Sequence, residues 1–298
     1  MTGPTAVGKT AVAITLARKI NAEIISCDSM QIYRGVDIIS SKPAKSLRKK
    51  IPHYLIDVIA PTKEFNASKY RTYALKKARE VLKKGKVPLF VGGTGLYMTV
   101  LIDGIFEARP ENKSLRRRLS KKAEAYGSQY LHKRLEKADP EAALKIHPND
   151  TKRIIRALEV FESTGKPISE LQKQRKGLAD KYEVKVFCLN IERDKLYGRI
   201  EKRIERMFDD GLINEVKRLL KTKLSRTASY AIGIRELKGF LEGDYDLEEA
   251  KRLINRNTRL YAKRQLTWFR KDKRMKWINI REKDSPVFVA KRIWKELS

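Results

Sequence analysis

The first ten residues carry the clearest chemistry in the chain. Gly3-Pro4-Thr5-Ala6-Val7-Gly8-Lys9-Thr10 fits the pattern G-x-x-x-x-G-K-[ST], and Ala11, Ile14, Leu16, Ala17 and Ile20 continue it with a helical apolar period. At a helix N-terminus such glycines let backbone N–H groups converge on a diphosphate. Lys9 adds positive charge, and the Thr10 hydroxyl can ligate a Mg2+ ion bridging phosphate oxygens. Every position from Gly3 to Thr10 is therefore a candidate diphosphate or nucleotide contact. The loop recognises the diphosphate and not the rest of the molecule, so an ATP-using kinase and an enzyme with another diphosphate substrate both stay open.

Two further segments belong beside this loop. The run Glu23 to Cys27 leads into Asp28-Ser29-Met30-Gln31-Ile32-Tyr33. In a parallel sheet, neighbouring strands open their carboxyl ends on one edge, which places Asp28 opposite the bound phosphates. There it can ligate the metal through water or accept a proton from an attacking nucleophile; capping a helix N-terminus is a nearly equal account of it. Gly92-Gly93-Thr94-Gly95-Leu96-Tyr97, after the run Val87 to Val91, repeats the geometry, with Thr94 able to cap a helix or touch a phosphate.

The elements that must position these residues read as α/β. Up to about Ile105, strand-like runs at 23–26, 54–59 and 87–91 alternate with helical patterns, including one from Ala67 to Lys84. A P-loop NTPase-like parallel sheet with flanking helices is the expected core. From Arg109-Pro110 to about 182 the sequence is charged and leucine-punctuated, an all-helical insertion domain. A strand at 184–191 then returns the chain to the sheet, and 194–270 is helical, divided by Gly211, Gly233, Gly239 and Gly243. The expected organisation is a catalytic core of residues 1–108 and 183–298 around an insertion of 109–182. Only Met1 and Thr2 precede Gly3. The strand that should lead into the loop is missing, as after a misassigned start codon or a truncation, and the loop is expected to be held on one side only.

Charge points to the partner. Lys and Arg number 67 against 36 Asp and Glu, a formal net charge of +31 that a polyanion would relieve. Nucleic acid is the first class to expect. No apolar run approaches the ~18 residues of a spanning helix, and two cysteines, Cys27 and Cys188, are too few for a disulfide framework. A cytoplasmic protein without a membrane anchor follows. Between Lys113 and Arg134 there are eight cations against Glu124, and between Lys251 and Lys276 eleven against Asp272. On a helical wheel Arg252, Arg256, Arg259, Lys263 and Arg270 share one face, with Leu253, Ile254, Leu260, Tyr261 and Trp268 turned the other way. A solvated helix surface is the ordinary account of such a run; the scarcity of acids favours phosphate binding.

With these motifs in order, the chain resembles the tRNA dimethylallyltransferase (tRNA isopentenyltransferase) family over nearly its whole length. The segments that carry the likeness are Gly3 to Thr10, Asp28 to Tyr33, Gly92 to Tyr97, Ile146-His147-Pro148-Asn149-Asp150 with Arg153 and Arg156-Ala157-Leu158-Glu159-Val160, and Arg264-Gln265-Leu266-Thr267-Trp268-Phe269. The resemblance implies transfer of a dimethylallyl group from dimethylallyl diphosphate to N6 of the adenosine immediately 3′ of a tRNA anticodon, with Mg2+ as cofactor and a monomeric enzyme. It implies Asp28 as the base, Arg203 facing the diphosphate, and tRNA contacts at Asp28, Ser29, Met30, Gln31, Thr94, Arg116, Lys152, Arg153, Ile154, Ile155 and Arg156. The chain departs from the family pattern at Ile39-Ser40-Ser41-Lys42-Pro43, at His53-Tyr54 and at Tyr230 to Glu236, none of which touches Lys9, Thr10 or Asp28.

The residues suit that reaction. Negative charge growing on a leaving diphosphate needs the loop N–H groups, Lys9, Arg203 and the metal, and the N6 proton needs an acceptor such as Asp28. An adenylate isopentenyltransferase or a small-molecule kinase would share loop and acid but has little use for +31, and an RNA-binding scaffold has little use for an intact Gly8-Lys9-Thr10.

Overall fold

The computed structural model describes residues 1–106 and 112–297; the expected start of the insertion, Arg109-Pro110, lies outside the described residues. Two compact units are formed, one by Met1–Leu101 with Val184–Ser298, the other by Ile102–Glu183.

In chain order the first unit runs α1 (Lys9–Lys19), β1 (Ala22–Ser26), α2 (Lys45–Lys50), β2 (His53–Tyr54), α3 (Ala67–Lys83), β3 (Val87–Val91) and α4 (Gly95–Ile102), the last leading into the second unit. The second unit holds α5 (Lys113–Ala138), α6 (Pro140–Lys145), α7 (Thr151–Thr164) and α8 (Ile168–Lys173). The chain then returns with β4 (Val186–Ile191), α9 (Arg193–Asp209), α10 (Leu212–Leu220), α11 (Ile234–Glu242), α12 (Leu247–Arg270), β5 (Met275–Ile280) and α13 (Pro286–Lys295).

The strands pair in parallel as β2-β1-β3 and as β4-β5. Between these two sheets lie Met1 and Thr2. The Met1 amine donates to the Phe90 carbonyl at 2.7 Å and the Met1 carbonyl accepts from Gly92, while Thr2 exchanges backbone bonds with Phe187 and Leu189 of β4 at 2.7 and 2.8 Å. The expectation of a loop held on one side is therefore corrected: two residues suffice to bond β3 on one flank and β4 on the other, since successive extended residues turn their N–H and C=O groups to opposite flanks, Met1 to β3 and Thr2 to β4.

The run 54–59 is a strand only at its start. Leu55 and Asp57 take left-handed backbone, φ 61° and 58°, and this turn lets the Asp57 carboxylate receive Lys42 and Arg48 at 2.5 and 2.8 Å. Two elements lie beyond the expected helical stretch. Residues 275–280, with Met275, Ile278 and Ile280 buried, add the strand β5 beside β4, and α13 packs on α1. Gly239 lies inside α11 and does not divide helices, whereas Gly211 and Gly233 start α10 and α11.

Apolar side chains of α1, α9, α12, α13 and the strands form the core of the first unit, including Leu16, Ile24, Leu189, Ile200, Ile254 and Ile293. The second unit has its own core, built from Leu119, Leu131, Leu135, Ile154 and Leu158. Each such side chain contributes about 1.5–3 kcal/mol by leaving water.

Candidate active site

The loop Gly3 to Thr10 turns from the sheet edge into α1. Its sharp path needs left-handed backbone at Gly8, φ 102°, and imposes it on Ala6 at φ 64°. The first turn of α1 contains no acid and no side chain caps it, so its N–H groups keep their positive end for an anion. The Lys9 ammonium folds over the loop and donates to the carbonyls of Gly3 and Pro4 at 2.9 and 2.8 Å. Burial lowers its pKa to about 8, against the opposing pull of Asp28.

Two arginines of α9 reach the same loop. Arg203 Nη1 donates to the Thr5 hydroxyl at 2.7 Å, and Arg199 Nη1 to the Val7 carbonyl at 3.2 Å. The Arg203 Nε is buried and has no partner among the described residues, which leaves an unspent donor beside the loop. Desolvation lowers the Arg203 pKa and Asp28 raises it, so guanidinium and carboxylate feel one another.

Lys9, Thr10, Asp28 and Gln31 line one cleft, whose walls also include Ser26 and His53. Asp28 Oδ1 accepts the N–H groups of Met30 and Gln31 at 2.8 and 3.3 Å, so the turn-capping role is real and uses one carboxylate oxygen. The second oxygen takes no part in that turn. Gln31 is held by the Ser26 hydroxyl at 2.9 Å and by the Ser40 carbonyl at 3.3 Å. The Thr94 hydroxyl accepts the Ser29 N–H at 3.1 Å and lies beside the Tyr261 hydroxyl, so it ties the two turns together.

A residue that carried no role in the sequence reading connects these parts. Gln265 of α12 is buried; its Oε1 accepts the Thr5 N–H at 2.8 Å and its Nε2 donates to the Gly93 carbonyl at 2.8 Å. The glycines of the Gly92–Gly95 turn answer to close approach: a Cβ on Gly92 would lie 2.0 Å from the Cys27 carbonyl, one on Gly93 2.2 Å from Gln265, and one on Gly95 2.4 Å from Trp268. The hints in the sequence were its place in the segment Arg264 to Phe269 that carries the family likeness, and its sharing a stripe with Ile254 and Phe269, a polar residue where the wheel predicts burial.

No group of three or more His, Cys, Asp and Glu side chains that could hold a metal occurs among the described residues. An ion held by the Thr10 hydroxyl and by substrate phosphates, with Asp28 acting through water, fits this donor set and the preference of Mg2+ for phosphate oxygens and few protein ligands.

In the helical unit, Arg116 and Arg156 converge on the Glu159 carboxylate at 2.9 and 2.6 Å, and the Asn112 N–H adds a third bond at 2.8 Å. Lys152 and Arg153 are exposed, Arg153 pairing with Asp150. Ile154 and Ile155, expected among the contacts, turn their side chains into the core of this unit.

The basic face of α12 is also redrawn. Leu260 and Trp268 are 42% and 38% exposed, while the polar Thr258 and Gln265 are buried with Ile254 and Phe269. Arg252 pairs with Glu249 and Arg259 with Glu201. Arg256 and Lys263 make no ion pair among the described residues and line, with Arg193 and Tyr197, a groove of about 510 Å³ between α9 and α12.

The geometry therefore offers a phosphate cradle, a carboxylate on the same cleft and a separate cationic groove. The IPP transferase family model matches residues 31–272. The chain is 46% identical to the tRNA dimethylallyltransferase of Halothermothrix orenii, over 99% of this chain and 89% of that protein. Among solved structures it is similar to a tRNA isopentenylpyrophosphate transferase from Bacillus halodurans, with a TM-score of 0.70, 37% identity and coverage of 99% and 95% of the two chains. It is also similar to a eukaryotic dimethylallyltransferase described as acting on tRNA, with a TM-score of 0.76, 29% identity and coverage of 93% and 72%. The chain belongs to the IPP transferase family.

Proposed function

We propose that this chain transfers the dimethylallyl group of dimethylallyl diphosphate to N6 of the adenosine immediately 3′ of a tRNA anticodon, as a monomeric, cytoplasmic enzyme on a P-loop NTPase-like core. The observation that carries this reading is the shared cleft, where Lys9 and Thr10 of the loop face the Asp28 carboxylate. One wall suits a diphosphate and the other can take a proton, which is what the reaction needs.

Adenine N6 is a weak nucleophile, and the allylic carbon becomes electrophilic only as its bond to the diphosphate oxygen breaks. Lys9, the Arg203 guanidinium and the N–H groups of α1 meet the charge that grows on the leaving diphosphate. The Asp28 oxygen left over from the Met30–Gln31 turn takes the N6 proton as the new carbon–nitrogen bond forms. Mg2+, when bound, neutralises part of the diphosphate charge; Thr10 is the side chain that would hold it. The base must leave the anticodon stack, at a cost of a few kcal/mol. Phosphate contacts by Arg256 and Lys263, and by Lys152 and Arg153, offset that cost. No helix among the described residues is long and apolar enough to cross a membrane.

The test is to incubate purified protein with labelled dimethylallyl diphosphate and either unmodified tRNA or AMP, following ATP consumption in parallel. Label in tRNA alone is the expected result. Label in AMP and not in tRNA, or ATP turnover with neither labelled, overturns the reading.

A further inference from the structure

The loop that cradles the diphosphate and the turn that carries Thr94 come from opposite ends of the first 100 residues, and no ladder of strand bonds fixes their spacing beyond Thr2 and Gly92. A single carboxamide from α12 spans the gap. Gln265 accepts from the Thr5 N–H and donates to the Gly93 carbonyl, each at 2.8 Å. The two partners also settle the orientation of the amide, because a backbone N–H needs its oxygen and a backbone carbonyl needs its NH2. Packing leaves the brace no slack. There is no room for a Cβ on Gly93 beneath Gln265, and one turn further along α12 Trp268 closes on Gly95 in the same way. Thr5 is held a second time through its hydroxyl by Arg203, and Thr94 through its hydroxyl by Ser29, the neighbour of Asp28. The carboxamide thus joins a donor-side assembly, Thr5 with Arg203, to an acceptor-side assembly, Thr94 with Ser29 and Asp28.

We propose that Gln265 is a positioning residue that sets the distance between the diphosphate loop and the Thr94 turn, and through it the alignment of the allylic carbon with the attacking nitrogen. The proposal rests on the reading above, in which loop and turn serve donor and acceptor. Displacement of about 1 Å between reacting groups is enough to cost on the order of 100-fold in rate. Neither substrate need bind more weakly, because Gln265 is bonded, among the described residues, to Thr5 and Gly93 and acts on the cleft through them. That separates a brace from a contact.

Gln265→Met keeps the length of the side chain and removes both bonds; Gln265→Asn keeps the amide but, one methylene shorter, reaches one partner at a time. Ile254→Ala, on the same buried stripe about three helical turns away, is the control for lost packing in α12. The experiment measures single-turnover transfer from dimethylallyl diphosphate to unmodified tRNA with both saturating, equilibrium binding of each, and the melting temperature of every variant. The expected result is a fall of about 10- to 100-fold in the saturated rate for both Gln265 variants, tRNA affinity within about threefold of wild type, and a near-normal rate for Ile254→Ala well below its melting temperature. The brace is overturned if Gln265→Asn folds normally and keeps its rate. It is also overturned if the rate of either Gln265 variant falls only in step with melting temperature, as in Ile254→Ala. A wild-type chain that modifies no tRNA overturns the functional reading and the brace together, whereas a working wild type with unimpaired Gln265 variants removes the brace alone.

Discussion

At the cleft, the Lys9 ammonium donates, among the described residues, to the neutral carbonyls of Gly3 and Pro4, whereas in the helical unit Arg116 and Arg156 close on the Glu159 carboxylate. The consequence appears in the pKa values. Burial outweighs the pull of Asp28 and brings Lys9 down to about 8. At Glu159 burial alone would raise the carboxyl, but Arg116, Arg156 and the Asn112 N–H outweigh it and hold it below the usual carboxylate range. A cation held by carbonyls keeps its charge for a ligand; a cation shared with a buried acid has spent much of it on the fold. The two regions thus divide the positive charge of the chain between binding and architecture.

The largest effect is expected where the comparison is sharpest. Asn at position 28 can still accept the Met30 and Gln31 N–H groups but takes up no proton. Asp28→Asn is expected to slow single-turnover transfer by roughly 10²–10⁴-fold with melting temperature and tRNA affinity nearly unchanged. A near-normal rate would leave Asp28 only its turn.

Next comes Lys9 itself. Its charge is present below about pH 8 and lost above it, so affinity for dimethylallyl diphosphate should weaken by up to about tenfold per pH unit above that point. Calorimetric titration across pH 7 to 10 reads this, and Lys9→Ala should bind weakly and without the inflection. An inflection that persists in Lys9→Ala assigns the charge elsewhere.

The architectural pair should show itself in stability. Glu159→Gln leaves two arginines sharing a neutral acceptor, and a loss of about 1.5–3 kcal/mol is expected, the usual worth of hydrogen bonds to a charged group. Because the folded carboxyl lies below its unfolded value of about 4.3, its stabilisation is complete above that pH and fades as pH falls through the folded value. Melting curves of wild type should therefore steepen their decline below about pH 4, and Glu159→Gln should lack that component. Equal acid sensitivity in both would break the comparison.

The smallest effect separates paired from unpaired cations on α12. Arg256→Ala and Lys263→Ala should each make the log–log salt dependence of tRNA binding shallower by about 0.7–0.9. Arg252→Ala, whose guanidinium is committed to Glu249, should change it less. Equal slopes in all three would return this face to a solvated surface.

The turn of Gly3 to Gly8 into α1, the place of Asp28 at the end of β1 and the helical character of residues 113–173 were legible in the sequence because each is a local pattern, a fixed spacing or a helical period. What was not legible depends on partners far along the chain. Two residues before Gly3 form a strand link only because β3 and β4 arrive on either side. Leu260 and Trp268 look like core by hydrophobicity, yet α12 buries Thr258 and Gln265, and Gln265 faces the loop and the glycine turn. Glu159 stood inside a family motif, but its function as a receptor for Arg116 needs a residue 43 positions away. The run at 54–59 ended early because Leu55 and Asp57 take left-handed backbone, a turn whose ion pairs reach back to Lys42 and Arg48.

One detail of the helical unit bears on how the chain can be taken apart. A Cβ on Gly104 would lie 2.2 Å from the Lys176 carbonyl, and one on Gly177 2.1 Å from the Ile102 carbonyl, so the entry and exit of this unit touch backbone to backbone. A segment whose ends already meet is a cassette. Splicing Ile102 to Gly177 through a few glycines asks for almost no loop-closure entropy, and the segment between them can be grafted or exchanged with a relative's without moving either cut end.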